Sequence, residues 1–191
     1  DYPRELLEVI VVNDGSTDKT STVVQPYVQK KQITFIDNAQ NKGKAACLNQ
    51  GIAAATGELV ACMDADTVAE KDILKKTTAY FKDPILGAVT VPVEVKNPRN
   101  FLEKVIDIEY VIGLSLFLKV FSYFDSIHVT PGPFSIYRKK VLAEIGGFDP
   151  TNITEDLEIA YRLHKGGYKI ACCITTRVYT LIPNTLKTLY Q

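Results

Sequence analysis

Tryptophan is absent from this chain of 191 residues, histidine occurs twice and cysteine four times. Cys47, Cys62, Cys172 and Cys173 form no C-x-x-C pair, and only His128 and His164 stand beside them, so the spacing of a structural zinc site is missing. Net charge is missing too: 22 Lys and Arg balance 22 Asp and Glu. A balanced chain has no overall field to gather nucleic acid, and no nucleic-acid partner is expected. The longest uncharged apolar run, 110–118, is far short of the about 20 residues that span a bilayer. Asp1-Tyr2-Pro3-Arg4-Glu5 is not the start of a secretory leader, and the piece as given is expected to be soluble. No G-x-G-x-x-G follows the first apolar run, which leaves a dinucleotide dehydrogenase unsupported.

Hydrophobic residues make up 46% of the chain, enough for the core of one domain. Three of the cysteines sit among apolar neighbours and read as small core residues in a reducing compartment. Apolar runs alternate with helical segments. Strands are predicted at 6–12, 33–36 and 59–63, and helices at 17–31, 42–55 and 69–81. Residues 88–95 contain Pro92 and read as an edge or bulged strand. This rhythm predicts an α/β fold with a mostly parallel central sheet flanked by helices. Further on, a long amphipathic helix is predicted over 100–121, its apolar face packed on the core or facing a membrane or an acceptor channel. A short strand at 127–130, helices at 138–145 and 154–165 and a strand at 168–174 complete the reading. Phe134 and Tyr137 follow a turn, either as core aromatics or as stacking platforms for a sugar.

The candidate chemistry sits where strands end, the edge at which open α/β sheets bind ligands. Asp64-Ala65-Asp66 follows a strand, and two carboxylates one residue apart can turn towards a hard cation, Mg2+ or Mn2+, that also takes phosphate oxygens. The same residues also fit a solvated turn. Asp14 ends the first strand and fits either a contact to a base or ribose or an ordinary Asp-Gly turn. Asn41-Lys42-Gly43-Lys44 precedes a helix and can bring Lys44 to phosphate, or is simply a helix start. Thr154-Glu155-Asp156 opens a helix, where acids complement the dipole; Asp156 is also placed to act as a general base. Gly132, in Pro131-Gly132-Pro133-Phe134, permits close approach of a ligand to backbone, or forms a plain turn. His164 reads as a surface or core-edge residue.

Taken in order, Val-Val-Asn-Asp-Gly-Ser-Thr-Asp from Val11, Asn-Lys-Gly-Lys-Ala from Asn41, Leu48-Asn49, Met-Asp-Ala-Asp-Thr from Met63, Pro-Gly-Pro-Phe from Pro131, Gly-Gly-Phe from Gly146 and Thr-Glu-Asp from Thr154 resemble glycosyltransferase family 2. The likeness is to the membrane-embedded synthases of cellulose, hyaluronan, chitin and poly-N-acetylglucosamine. It implies a GT-A fold and inverting transfer of a sugar from a UDP-sugar to a carbohydrate acceptor, forming a β-linkage. By the same resemblance, Asp14, Lys44, Asp64 and Asp66 bind the nucleotide sugar, and Asp64 and Asp66 hold Mg2+ or Mn2+. Gly132, Pro133 and Phe134 floor the acceptor site; Asp156 is the base and Glu155 supports it. Residues 1–95 form a donor half and 96–191 an acceptor half of one domain. Family members carry a further strand and helix before the position of Asp1 and a Gln-x-x-Arg-Trp motif after the position of 183–187. The chain is therefore expected to lack the first strand, to be inactive alone and to self-associate through unpaired edges. The intact protein is expected at the cytoplasmic face of the cell membrane, held through segments absent from this chain. Rival readings are a metal-dependent nucleotidyltransferase, a receiver-like phosphoacceptor domain, which the chain's length and irregular second half oppose, and a non-catalytic nucleotide-binding module.

Overall fold

A computed structural model describes residues 1–182; the expected segment 183–187 lies outside the described residues. The β-branched run Ile10-Val11-Val12 forms β1 (Ile10–Asp14), which pairs in parallel with β2 (Thr34–Asn38) across α1 (Thr20–Gln29). This strand begins later than predicted, because Arg4–Leu6 form a 3-10 turn and Leu6 is exposed. Alanine-rich α2 (Lys44–Ala54) leads into β3 (Leu59–Met63). A two-residue strand, β4 (Val68–Ala69), precedes α3 (Ile73–Thr78). The predicted strand at 88–95 is two strands. β5 (Leu86–Thr90) lies inside one sheet, and β6 (Val93–Val95), beyond Pro92, joins another. The ladder irregularity falls at Leu86/Ala88 instead of at Pro92.

The predicted long helix is α4 (Phe101–Tyr110), a π-helical stretch over Val111–Leu116 and α5 (Phe117–Tyr123). A capping box starts it: the Asn100 side chain accepts from the Glu103 amide while Glu103 accepts from the Asn100 amide. Only one side of this helix meets the core, through Ile106, Leu114, Leu118 and Phe121. Phe101, Val105, Ile108, Ile112, Leu116 and Val120 stay exposed. Residues 127–130 join no strand ladder, although Ile127 is buried.

The predicted turn around Phe134 continues into β7 (Phe134–Arg138), followed by α6 (Lys139–Ile145), α7 (Glu155–Lys165), β8 (Lys169–Cys172) and β9 (Val178–Thr180). The four-stranded sheet has the order β3-β7-β5-β8. β3, β5 and β8 run the same way and β7 runs opposite to them, so the pairing is mixed: antiparallel on both sides of β7 and parallel between β5 and β8. Alternation along β5 and β7 splits the core in two. Ala88, Tyr137 and Ile170 face Val141, Leu142, Ile159 and Leu163, while Val89, Phe134 and Ile136 face Ile73, Val91 and Val178. A small sheet, β4-β9-β6, flanks the second cluster. Among the described residues, no helix is long and apolar enough to cross a membrane.

Candidate active site

The site starts from the turns that end β1 and β3. Gly15, at φ +71°, turns the chain so tightly that a Cβ there would meet the Asn41 amide nitrogen at 2.8 Å. This closeness lets the Asp14 carboxylate accept from the amides of Lys42 (2.7 Å) and Gly43 (2.9 Å). The Lys42 amide chiefly holds the Asp14 carboxyl below its ordinary range. Asp14 thus sets the start of α2 and with it the position of Lys44.

Lys44 opens α2 and reaches the end of β3, where its Nζ lies 2.9 Å from Asp64 Oδ1. It also lies 3.5 Å from Glu155 Oε1, in the first turn of α7. Burial opposes the Lys44 charge, but Asp64 and then Glu155 outweigh it and hold the ammonium above the usual lysine range. Gly132 passes over this cluster: a Cβ there would come within 2.6 Å of Lys44 Nζ and 3.3 Å of Asp64 Oδ2. Lys44, Asp64, Gly132 and Glu155, dispersed in the sequence, are therefore brought into contact.

Asp156 lines a narrow cleft with Lys44, Gly132 and Glu155. Burial foremost, aided by the Glu155 charge, raises its carboxyl above the ordinary Asp range. The Leu157 amide, donating to Asp156 Oδ1 at 2.9 Å, and Lys44 only partly oppose this. The Asp156 carbonyl accepts from the Thr130 amide (3.1 Å) and hydroxyl (3.0 Å), which ties the 130–133 loop to the head of α7. Asp66 is exposed in the turn beyond Asp64. Phe134 corrects the expectation of an acceptor contact. It is 2% exposed and packs with Val89 and Ile136, so its ring is not free to stack on a sugar. Tyr137 is equally buried, edge-on to Phe148 at the back of the cleft. Pro133 is half-buried beside Gly132. His164 is a core-edge residue whose Nε2 meets the Ile127 carbonyl at 2.5 Å.

Several contributors were not read as site residues. Thr130, Cys62, Leu48 and Phe148 all line the cleft. Burial pushes the Cys62 thiol up to about 12, which leaves it an inert wall. Asn49 explains two of the motifs at once. Its side chain donates to the Phe148 carbonyl (2.7 Å) and accepts from the Phe148 amide (2.8 Å), clamping α2 to the Gly-Gly-Phe turn. A Cβ on Gly147 would strike Asn49 Oδ1 at 2.6 Å. The signal was present in Leu48-Asn49 and Gly146-Gly147-Phe148, but their pairing was not.

Asp64 and Asp66 offer hard carboxylate oxygens, the donor type that Mg2+ or Mn2+ takes together with water and substrate phosphates. Among the described residues no group of three or more His, Cys, Asp or Glu side chains is poised to hold a metal without such partners. The residues present fit a cation shared with a diphosphate.

Comparison with known proteins agrees with this geometry. The model of glycosyl transferase family 2 matches residues 1–146. The chain is 33% identical to the poly-beta-1,6-N-acetyl-D-glucosamine synthase of Staphylococcus aureus (strain COL), over 98% of the chain and 46% of that protein. It is also 33% identical to the synthase of the same name from Staphylococcus epidermidis, over 100% of the chain and 46% of that protein. The chain thus spans about half the length of the curated relatives it matches. The mannosyltransferase PcManGT from Pyrobaculum calidifontis, solved with GDP-Man and Mn2+, superposes with a TM-score of 0.78 at 26% identity, covering 100% of this chain and 52% of that one. S. aureus TarS 1-349, solved with UDP-GlcNAc, shares the fold (TM-score 0.73, 22% identity, 97% and 52% covered). With a family model spanning well over half its length and its motifs converging on one cleft, the chain belongs to glycosyl transferase family 2.

Proposed function

We propose that this chain carries the catalytic centre of an inverting transferase that moves N-acetylglucosamine from its UDP conjugate to a hydroxyl of a growing β-linked polysaccharide. The observation that carries the reading is Asp156: a half-buried carboxylate of raised proton affinity, at a helix head, in a cleft walled by Lys44 and the Gly132 backbone. Burial that strengthens a carboxylate as a base is what removal of a hydroxyl proton requires. The acceptor oxygen attacks the anomeric carbon, its proton passes to an Asp156 oxygen, and the bond from that carbon to the diphosphate breaks to release UDP. Glu155 shares the Lys44 charge and keeps that ammonium from quenching Asp156. Gly132, without a Cβ, leaves room for the Lys44 ammonium and Asp64 beneath the 131–133 loop. A divalent cation, when bound by Asp64 and Asp66, supplies charge neutralisation for the leaving diphosphate.

On this reading residues 1–95 serve the donor through Asp14, Lys44, Asp64 and Asp66, and 96–191 serve the acceptor through Gly132, Pro133, Glu155 and Asp156. The donor sugar is supported by the names of the curated relatives, and the resemblance to polysaccharide synthases is consistent with an intact enzyme at the cytoplasmic face of the cell membrane.

The test is transfer from radiolabelled UDP-N-acetylglucosamine by the intact protein, with released nucleotide identified alongside. Asp156→Asn is expected to lower turnover about 10²–10⁴-fold, the usual contribution of a general base, while Mn2+-dependent UDP binding persists. Asp66→Asn is expected to abolish that binding. Release of pyrophosphate in place of UDP would mark a nucleotidyltransferase, and full turnover by Asp156→Asn would refute the assigned base.

A further inference from the structure

Lys44 is paired with two carboxylates of the fold itself. Its Nζ sits 2.9 Å from Asp64 Oδ1, against the carboxylate proposed for the metal. A second carboxylate, Glu155, flanks it at 3.5 Å, and the Gly132 backbone closes over it with no room for a Cβ. The half-exposed ammonium is thus paired with two carboxylates, one just past β3 and one in the first turn of α7. Of the two carboxylates in the D-x-D, one is already neutralised and the other, Asp66, stands exposed.

From this double pairing we infer that Lys44 is a resident cation that blocks metal binding until the donor diphosphate arrives, and so imposes an order on donor and metal. The inference rests on the metal role proposed above for Asp64 and Asp66. A dication brought to Asp64 alone meets the ammonium already paired with that carboxylate, and like charges at that range repel. A diphosphate brings negative charge of its own. It satisfies Lys44 and offers oxygens to the metal, so the repulsion turns into a shared attraction. Glu155 gives Lys44 a second anchor when the metal takes over Asp64. No covalent step is involved; the device is a redistribution of cations over three carboxylates.

The readout is free Mn2+ measured by electron paramagnetic resonance, with and without UDP, for the wild type, Lys44→Gln and Lys44→Arg. Circular dichroism checks each fold. Without UDP, Lys44→Gln is expected to bind Mn2+ at least about tenfold tighter than wild type, as loss of a neighbouring like charge requires. Lys44→Arg keeps the charge and is expected to retain the weak wild-type binding. With UDP present, the advantage of Lys44→Gln is expected to vanish. Equal Mn2+ affinity of wild type and Lys44→Gln without UDP, within about twofold, would overturn the inference. Asp66→Asn separates the two levels: unchanged Mn2+–UDP binding in that variant removes the metal site itself, whatever Lys44 does.

Discussion

β1 and β5 are both five-residue strands with parallel partners, yet their surroundings differ. Every residue of β5 is buried, whereas in β1 only Asn13 is. The sheet containing β5 is held by apolar side chains from both faces: Leu163, Ile159 and Val141 on one, Ile73, Val91 and Val178 on the other. Around β1 and β2 the buried residues are polar instead. Asn13 donates to Asp37 (2.7 Å) and Ser21 (3.2 Å), and Asn38 and Gln50 exchange two hydrogen bonds (2.7 and 3.1 Å). Glu8 accepts from the Gly57 amide (2.9 Å), which ties the chain ahead of β1 to the turn before β3. One region is glued by burial and the other is pinned by directional bonds. The site lies where they meet: α2, which begins with Lys44, bonds Asn38 through Gln50 and packs Ala45, Leu48 and Ile52 on the apolar cluster, while Asp64 and Asp156 come from the glued side.

The comparison breaks most visibly in the glued region. Leu163 is fully buried in α7, so Leu163→Ala is expected to cost about 2–5 kcal/mol by urea denaturation, as cavity-forming substitutions do. A cost below that range would mean that α7 can collapse onto β8. In the pinned region, Asn13→Ala removes the bonds donated to Asp37 and Ser21 and the one accepted from the Ser16 amide, leaving Ser21 and Asp37 bonded to each other. A smaller loss, about 1–3 kcal/mol, is expected, with faster amide exchange confined to β1 and β2. Global unfolding at the same urea concentration as Leu163→Ala would erase the distinction.

The smallest effect sits at the junction. The folded state raises the Asp156 carboxyl above its ordinary range, so the protonated form favours folding. That contribution is whole below the ordinary Asp value of about 3.9 and is lost as pH rises through the raised one. Asp156→Asn should therefore show a slight rise in Tm at neutral pH that disappears below about pH 4. A lower Tm at neutral pH would show that the ionised carboxylate is favourably held, against the role of burial here.

How much was legible in the chain depended on how local the cause was. β3 matches its predicted limits because Leu59-Val60-Ala61-Cys62-Met63 is a single apolar run between Thr56-Gly57 and Asp64. α6 and α7 end at the predicted glycines, and Gly146 takes the left-handed conformation that stops a helix. β7 was missed because Pro131-Gly132-Pro133 reads as a turn, and five residues become a strand only when β3 and β5 are already there to flank them. β4 and β9 are two and three residues long, too short for any period to register. The amphipathic reading of 100–121 found the helix but not its environment, because apolar residues occupy two of its sides and only one meets the core.

The candidate site divides in the same way. The residue types that chemistry demands were readable by themselves: Asp64 and Asp66 after a strand, Lys44 at a helix start, Glu155 and Asp156 in a first turn. Strand ends, caps and turns are set by neighbours in sequence, and a linear pattern records them. Which of these side chains touch is another matter. That Lys44 bridges Asp64 and Glu155 under Gly132, that Phe134 turns into the core and that Asn49 clamps Phe148 were decided by the stacking of α2, β7 and α7. Such contacts depend on burial and on approach between distant segments, quantities that exist only once the chain has folded.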